Sequence, residues 1–186
     1  MVYKHLGTIS LLLLSIDSVC SFKLFRLNLT AGSSGTFVGD FMVGGQVITL
    51  SVGTTATSTM LSNANCQNCA KGGYDPAKSK TSANGTSIVP IYTLPSYYLP
   101  TVNDRIFRGA TYFDVICPYH IDVVCPIPPE KKLEMFVIDA QISGDQISNQ
   151  GRMGLDYDKN SLLWSFSYFL QYNNWADKNM VTLGHD

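Results

Sequence analysis

The chain has 186 residues, of which 45% are hydrophobic and 15% are charged. This length supports one domain with a hydrophobic core and is short for two. Thirteen basic and fourteen acidic side chains nearly cancel, which leaves a formal net charge of −1. Because no large positive field is available to hold phosphate groups, nucleic acid and anionic membrane surfaces are not expected as partners.

Residues 1–21 have the parts of a secretory signal peptide. Lys4 lies near the start, leucines fill residues 11–14, and small residues occupy the expected cleavage site at residues 19–21. A membrane anchor is the alternative, but Asp17 and an apolar run well under the ~20 residues needed to cross a bilayer argue against it. No later stretch is long enough to span a membrane. We therefore expect a secreted or lumenal protein.

The chain after residue 21 shows short β-type runs separated by turn residues. Residues 37–43 predict a strand, Gly44-Gly45 a two-residue hairpin turn, and residues 46–52 the returning strand. Residues 71–84 are polar and rich in turn residues. Further β-type runs cover residues 87–93, 111–116, 133–138 and 180–183.

Residues 161–172 are long and apolar enough for a helix, but aromatic residues dominate them, which suits a strand as well. The aromatic rings could line a sugar or peptide site, although core packing is the better interpretation for rings of this size. The group comprises Trp164, Phe166, Tyr168, Phe169, Tyr172 and Trp175. From these patterns we expect an all-β protein with few or no helices.

The cysteines that follow the signal peptide predict two disulfides, because an even set in an oxidising compartment is expected to pair. These are Cys66, Cys69, Cys117 and Cys125. Three connectivities are possible, and the two short loops favour Cys66–Cys69 and Cys117–Cys125. A redox pair or half of a zinc site is the alternative for Cys66 and Cys69, but their polar, loop-like neighbours favour a structural disulfide.

Two sequons fit glycosylation of a secreted protein, at Asn28 in Asn-Leu-Thr and at Asn84 in Asn-Gly-Thr. Such sequons are common by chance. They therefore agree with the expected compartment without establishing it.

No constellation of the remaining polar residues predicts a metal or a cofactor, and we expect none. The histidines lie far apart, so a His-rich zinc site is not expected, and neither His120 nor His185 is placed for Ser-His-Asp catalysis. Asp156, Asp158 and Asp177 could suggest calcium. A solvated loop is the better interpretation of that acidic group.

Several runs of residues follow one another in a recognisable order. A Gly-centred hairpin covers residues 35–46, and Cys66 follows at a characteristic spacing. Residues 74–81 read Tyr-Asp-Pro-Ala-Lys-Ser-Lys-Thr, the most specific of these runs. Residues 109–115 read Gly-Ala-Thr-Tyr-Phe-Asp-Val, and residues 151–155 read Gly-Arg-Met-Gly-Leu. In this order and spacing the chain resembles the N-terminal lobe of the pepsin-like aspartic peptidases.

The resemblance covers nearly the whole chain after the signal peptide and implies its domain organisation. Residues 22–34 are an N-terminal segment, and residues 35–186 are expected to form one closed, barrel-like β-sheet lobe. Residues 166–170 and 181–186 resemble the strands that close the first lobe of the family.

The activity of the family requires two carboxylates, one from each lobe, which hold a water and share a proton because like charges ~3 Å apart cannot both ionise. Thr59-Met60-Leu61 stands where the family has Leu-Trp-Val. Counting back from it places Gly53, Thr54 and Thr55 at the catalytic Asp-Thr-Gly motif. Only Thr54 matches, and Gly53 has no side chain to activate water. The resemblance thus implies that no catalytic residue is present.

Other features of the family's active site differ as well. Thr55 replaces the motif glycine, Met60 replaces the tryptophan that supports the flap tyrosine, and the flap region at residues 90–102 contains no glycine. The chain stops at Asp186, about where the family passes into its second lobe, and it contains no further Asp-Thr-Gly or Asp-Ser-Gly. We therefore expect no self-sufficient proteolysis.

Two hypotheses about function follow. The first is a secreted, catalytically inactive pseudopeptidase whose half-cleft binds an extended peptide, a protein or a full-length relative. The second is an active aspartic endopeptidase of which this chain is an incomplete N-terminal fragment, with another carboxylate substituting at Gly53. A single lobe is expected to expose an apolar face and a strand edge, which favours homodimerisation, unless residues 164–172 cover that face.

Overall fold

A computed structural model of the chain describes part of its residues. These are residues 27, 29–31, 37–54, 56–69, 72–86, 91–94, 105–119, 125, 127–144, 146, 149–156 and 163–174. The predicted signal peptide at residues 1–21 and the predicted strand at residues 180–183 lie outside them.

The described residues form strands, one 3₁₀ helix and one α-helix. The strands are β1 (Thr30–Ala31), β2 (Phe37–Val43), β3 (Gln46–Gly53), β4 (Met60–Gln67), β5 (Ala83–Asn84), β6 (Ile91–Leu94), β7 (Arg105–Asp114), β8 (Ile116–Pro118), β9 (Leu133–Ser143) and β10 (Gly151–Gly154). The 3₁₀ helix covers Pro76–Lys78, and the α-helix α1 covers Phe166–Tyr172. The all-β prediction is confirmed at this level.

The strands pair into one mixed sheet, in the order β1-β2-β3-β10-β4-β9-β7-β5. Two further short strands join its ends, β8 on β2 and β6 on β7. The expectation of a closed, barrel-like sheet is not met, because no described strand joins the β2 end of the sheet to the β7 end. The physical reason is that each end carries only short strands of two to four residues, which leave no long edge available for closure.

The predicted first hairpin is confirmed with its turn. β2 covers the predicted residues, and β3 extends the predicted returning strand by one residue, to Gly53. The φ angles of Gly44 and Gly45 are 54° and 85°, the left-handed region that a tight hairpin turn requires at both positions. Glycine adopts these angles without steric cost, which explains the Gly-Gly pair.

Other strands are longer or shorter than the sequence predicted. The run at residues 111–116 covers the end of β7, which begins at Arg105 and ends at Asp114, and the first residue of β8. The run at residues 133–138 is the first part of β9. The run at residues 87–93 overlaps β6, while residues 87–90 lie outside the described part. β4 and β10 were not among the predicted strands, because the second half of β4 is polar and β10 has only four residues.

The aromatic run near the end of the described chain forms a helix rather than a strand. Ser165 caps α1, since its side chain accepts a hydrogen bond from the backbone N–H of Tyr168 at 3.2 Å. Phe166 and Phe169 are buried one helical turn apart, and the Phe166 ring meets the Phe41 ring edge-on at 6.3 Å between centroids. The helix therefore covers one face of the sheet.

The centre of the sheet is buried on both faces. Met60 pairs with Phe136 and Leu61 pairs with Val137, and because successive side chains alternate in direction, the two pairs lie on opposite faces. One face carries the larger core cluster, which includes Leu50, Leu61, Val137, Phe166 and Phe169. The other carries the smaller cluster of Met60, Phe107, Phe136, Ile138 and Leu163.

A buried carboxylate connects the polar loop after β4 to the end of β7. Asp114 is fully buried and accepts hydrogen bonds from the Tyr74 hydroxyl and the Thr81 hydroxyl, both at 2.5 Å, and from the backbone N–H of Val115 at 2.8 Å. A Cβ on Gly44 would overlap an oxygen of this carboxylate, so the hairpin turn packs directly on it. Three donors offset the cost of burying the charge.

Burial raises the pKa of the Tyr74 hydroxyl above its ordinary value, and the hydrogen bond to Asp114 raises it further. The hydroxyl therefore stays protonated and remains a donor to the carboxylate. Tyr74 and Asp114 both belong to the runs that carry the resemblance described above, but sequence spacing alone did not predict that they touch.

We expect Tyr74→Phe to lower the free energy of unfolding by about 2 kcal/mol, because it leaves a buried carboxylate with one donor fewer. Urea unfolding followed by tryptophan fluorescence measures the change. Tyr172→Phe is the matched control, since Tyr172 is 62% exposed and its loss of a hydroxyl should change little. Equal stability of the two variants would contradict the assigned role of Tyr74.

The raised pKa of Tyr74 also predicts a pH dependence. In the unfolded chain this hydroxyl ionises near pH ~10, whereas in the folded chain it stays neutral to higher pH. The stabilisation is thus complete below pH ~10 and is lost as pH rises towards the folded pKa, by up to ~1.4 kcal/mol per pH unit. Unfolding measured from about pH 9 to pH 11 should show a steeper loss in the wild type than in Tyr74→Phe. If the free energy of unfolding falls with pH equally in the two proteins, the raised pKa of Tyr74 is contradicted.

Candidate functional site

The end of β3 is where the resemblance places the position of the catalytic motif, with no catalytic residue expected there. β3 ends at Gly53, whose carbonyl accepts hydrogen bonds from the backbone N–H of Leu155 at 3.0 Å and of Ala56 at 3.5 Å. Thr54 follows in an exposed turn, and Thr55 lies outside the described residues. The chain then passes through buried Ser58 to β4.

β10 separates β3 from β4 in the sheet, although β3 and β4 follow each other along the chain. Arg152, Met153 and Gly154 pair in parallel with Ser51, Val52 and Gly53. On its other side β10 pairs antiparallel with β4, through Gly151–Leu61 and Arg152–Met60. The turn between β3 and β4 must therefore cross over the end of β10.

Gly154 allows this crossing because it has no side chain. A Cβ on Gly154 would lie 2.5 Å from the Ala56 carbonyl oxygen and 2.6 Å from the Ser58 carbonyl oxygen, closer than real Cβ atoms approach. These neighbours are backbone atoms, so a larger residue would have to displace the turn itself. The Asp156 backbone N–H also donates to the Ala56 carbonyl, at 2.9 Å, and holds the turn against the chain after β10.

Gly53, in contrast, is not required by packing. A Cβ there would meet the Ala56 Cβ at 3.4 Å and the Arg152 Cδ at 3.9 Å, which are ordinary contacts. Its φ is also outside the left-handed region, since Gly53 is not among the positive-φ glycines. The fold would therefore accept a side chain at position 53.

Arg152 is the residue at this site that sequence reasoning missed. It lies in the run at residues 151–155, which the resemblance compares with Gly-Ile-Leu-Gly-Leu, and its Cδ would lie 3.9 Å from a Cβ on Gly53. The sequence did offer one sign of it, because Arg152 is a charged residue in a run that is otherwise apolar. Its meaning depends on the pairing of β10 with β3, which joins residues about 100 positions apart in sequence.

The structure places both predicted cysteine pairs at disulfide distance. The Cys66 and Cys69 sulfur atoms meet across a short loop in which Asn68 has a φ of 60°. Asn68 is also held by Gln146, whose side-chain N–H donates to its carbonyl at 3.0 Å. Cys117 is buried in the larger core cluster and meets Cys125. This agreement supports the predicted pairing.

The predicted glycosylation residue Asn84 lies apart from the end of β3, on a strand at the other end of the sheet. Asn84 is exposed on β5, opposite Tyr112 of β7, and is accessible for modification. Asn28, His120, Asp158 and Asp177 lie outside the described residues. Glycosylation at Asn28 and Asn84 stays a prediction.

The aromatic group divides between core and surface. Phe166 and Phe169 are buried. Trp164, Tyr168 and Tyr172 instead form a partly exposed ring cluster, in which the Trp164 ring centroid lies 4.9 Å from that of Tyr168, edge-on, and 4.7 Å from that of Tyr172, at a tilt. Trp175 lies outside the described part of the chain.

Comparison with known proteins adds no identification. No protein-family model matches the chain, and no curated protein shows significant sequence similarity to it. Within the described residues, no group of three or more His, Cys, Asp or Glu side chains is placed to hold a metal ion, and no helix is long and apolar enough to cross a membrane.

The two glycines at this site predict opposite responses to alanine. Gly53→Ala should leave the free energy of unfolding unchanged or raise it by up to ~1 kcal/mol, because the Cβ fits and the unfolded chain loses freedom. Gly154→Ala should lower it by roughly 1–3 kcal/mol, because the Cβ overlaps the backbone of the turn. Chemical unfolding of both variants, side by side, measures the difference. A harmless Gly154→Ala would mean that the turn does not cross β10 as described.

Proposed function

We propose that this chain is a catalytically inactive relative of the pepsin-like aspartic peptidases, and that its degenerate site binds an extended peptide or protein segment. One observation carries the proposal. The position that the resemblance aligns with the catalytic Asp is Gly53, and it lies partly exposed at the end of β3 beside β10, where it offers no carboxylate.

The spatial arrangement of the matched runs supports the resemblance. The run at residues 151–155 pairs with β3 at Gly53, and the run at residues 74–81 contacts the end of β7 through Tyr74 and Asp114. Both contacts join runs that are far apart in sequence. A chance match of separate motifs would not require them to meet in space, so these contacts favour a shared architecture.

The local chemistry supports the loss of proteolysis. An aspartic peptidase needs a carboxylate that takes a proton from water and later returns it. Gly53 offers no such group, and the buried hydroxyls of Ser58 and Thr59 in the following turn are neutral in the relevant pH range. The other side chain beside Gly53 is that of Arg152, whose Cδ would lie 3.9 Å from a Cβ there and which is not a carboxylate either.

The alternative is an active aspartic peptidase in which another acid replaces the missing one. Asp156 favours this candidate, because its backbone N–H bonds to Ala56 in the turn that follows Gly53. Its carboxyl group would have to act from the chain after β10 rather than from the end of β3.

We further propose that the protein is secreted, in line with the predicted signal peptide at residues 1–21. The two cysteine pairs at disulfide distance and the exposed sequon residue Asn84 support an oxidising compartment.

Homodimerisation through an exposed apolar face also stays a proposal. The large apolar residues that the described part of the chain exposes lie on several separate elements, including Phe37 on β2 and Ile142 on β9.

We expect the purified chain not to cleave denatured globin between about pH 2 and pH 6, the range in which a shared-proton carboxylate pair works. Cleavage products are measured by mass spectrometry, and a statine-type inhibitor controls for contaminating peptidases. Asp156→Asn separates the two candidates. Inhibitor-sensitive cleavage that disappears in Asp156→Asn would establish the active alternative and refute the proposal.

The binding half of the proposal is tested with the same inhibitor and with extended peptides. Backbone amide shifts in a ¹⁵N-labelled sample should move at Gly53, Thr54 and Leu155 and stay unchanged at the distant β5 edge around Asn84. Gly154→Ala, which displaces the turn, should weaken the interaction. Shifts confined to other surfaces would show that the end of β3 is not the binding site.

A further inference from the structure

The sequon at residues 84–86 is built into the sheet. Asn84 is the last residue of β5 and pairs antiparallel with Tyr112 of β7. The Gly85 backbone N–H continues this pairing, since it donates to the Thr111 carbonyl at 2.8 Å. Asn84 itself is exposed. The fold thus fixes the backbone of the sequon while it leaves the residue that carries the glycan accessible to solvent.

A carboxylate from a third strand holds the rest of the sequon. Glu134 lies on β9, opposite Phe113 of β7. One of its oxygens accepts a hydrogen bond from the Thr86 backbone N–H at 2.7 Å, and the other accepts one from the Thr86 hydroxyl at 3.4 Å. A Cβ on Gly85 would overlap this carboxylate, so the chain passes directly over it. We call these contacts of residues 84–86 with β7 and Glu134 the sequon clamp.

N-glycosylation makes demands that the sequon clamp opposes. The side-chain nitrogen of the asparagine bonds to C1 of an oligosaccharide carried on a lipid diphosphate, and the bond from C1 to the phosphate oxygen breaks. The lipid diphosphate leaves, and the amide nitrogen gives up one proton. The third residue must be Ser or Thr because the transferase binds its hydroxyl together with the sequon backbone. In the folded chain these donors already bond to β7 and Glu134.

We propose that Asn84 accepts its glycan only before the sheet has formed, and that Glu134 withdraws the sequon from the transferase once β9 has paired with β7. This inference rests on the proposed secretion, since the transferase and its lipid-linked donor belong to the secretory pathway. Glu134 lies 48 residues after Thr86, so a growing chain presents the sequon before the clamp residue exists. The fraction of chains modified at Asn84 is therefore set by a competition between glycan transfer and sheet formation.

The first test offers folded and unfolded protein to purified oligosaccharyltransferase with its lipid-linked donor. The full chain is made without glycans and carries Asn28→Gln, so that only Asn84 can be modified. One sample is folded with its disulfides, and the other is reduced and alkylated. Mass spectrometry should show transfer to the folded chain at least tenfold slower, the magnitude expected for hydrogen bonds to a charged group. Equal rates would overturn the proposal.

Glu134→Ala tests the clamp residue in the same assay. It removes the acceptor of both Thr86 donors and should raise the rate of transfer to the folded chain several-fold. Glu130→Ala is the matched control, because it removes the same charge from an exposed turn before β9 and should leave the rate unchanged. If the folded Glu134→Ala chain is modified as slowly as the wild type, Glu134 does not withdraw the sequon.

Native-state amide exchange distinguishes local release of the clamp from loss of the fold. In Glu134→Ala the Thr86 N–H should exchange faster than in the wild type. The Leu155 N–H, which donates to the Gly53 carbonyl at 3.0 Å, should stay protected. If the variant loses protection at both positions, the wild type decides, because a protected Thr86 N–H supports the clamp and an unprotected one refutes it.

Translation of the full chain in the presence of secretory-pathway membranes separates this inference from the proposed secretion. If the chain does not enter the membranes, both fail. If it enters but gains no glycan at Asn84, or gains one only after it has folded, the secretion proposal stands and this inference is wrong. Modification during synthesis, and none when the folded chain is supplied to opened membranes, is the expected result.

Discussion

The insertion of β10 between β3 and β4 is the constraint on which the rest of this structure depends. β10 pairs with a strand on each side, in opposite directions, and so orders two chain segments that could otherwise have formed a simple hairpin. Its last residue, Gly154, lies under the turn that leaves β3, and only a residue without a Cβ allows the turn to pass at this distance. Its buried Met153 also contributes to the larger core cluster, so packing and site geometry are set by the same four residues.

Local patterns predicted the parts of the fold that local physics determines. The β2–β3 hairpin followed from a Gly-Gly pair between alternating strands, and the disulfide pairing followed from loop length. β4 and β10 escaped prediction, because polar residues and a short, glycine-containing run carry no strand periodicity by themselves. They are strands because of their neighbours in the sheet, and closure of the sheet into a barrel could not be judged from strand patterns for the same reason.

The residues of the candidate site also divide into those that local sequence identifies and those that only long-range strand pairing brings together. Counting along the chain pointed to Gly53, because the motif with which the resemblance compares this region is contiguous. Arg152 and Asp156 reach the same place through strand pairing and a backbone hydrogen bond, over about 100 residues of intervening chain. No spacing rule within one sequence connects such positions. The contact between Tyr74 and Asp114 was not predicted for the same reason: the two residues are far apart in sequence, although each lies in a run that had been noted separately.

Asp114 and Gly53 differ in how far packing fixes the residue at each position. Asp114 keeps a full set of donors and serves packing. Gly53, at the end of β3, carries no side chain, although a Cβ there would meet its neighbours at ordinary contact distances. Packing therefore leaves position 53 open to other side chains, whereas three donors tie the Asp114 carboxylate to its place. A substitution at position 53 can thus change the local chemistry without the cost of leaving a buried polar group without its partners, which a substitution of Asp114 would carry.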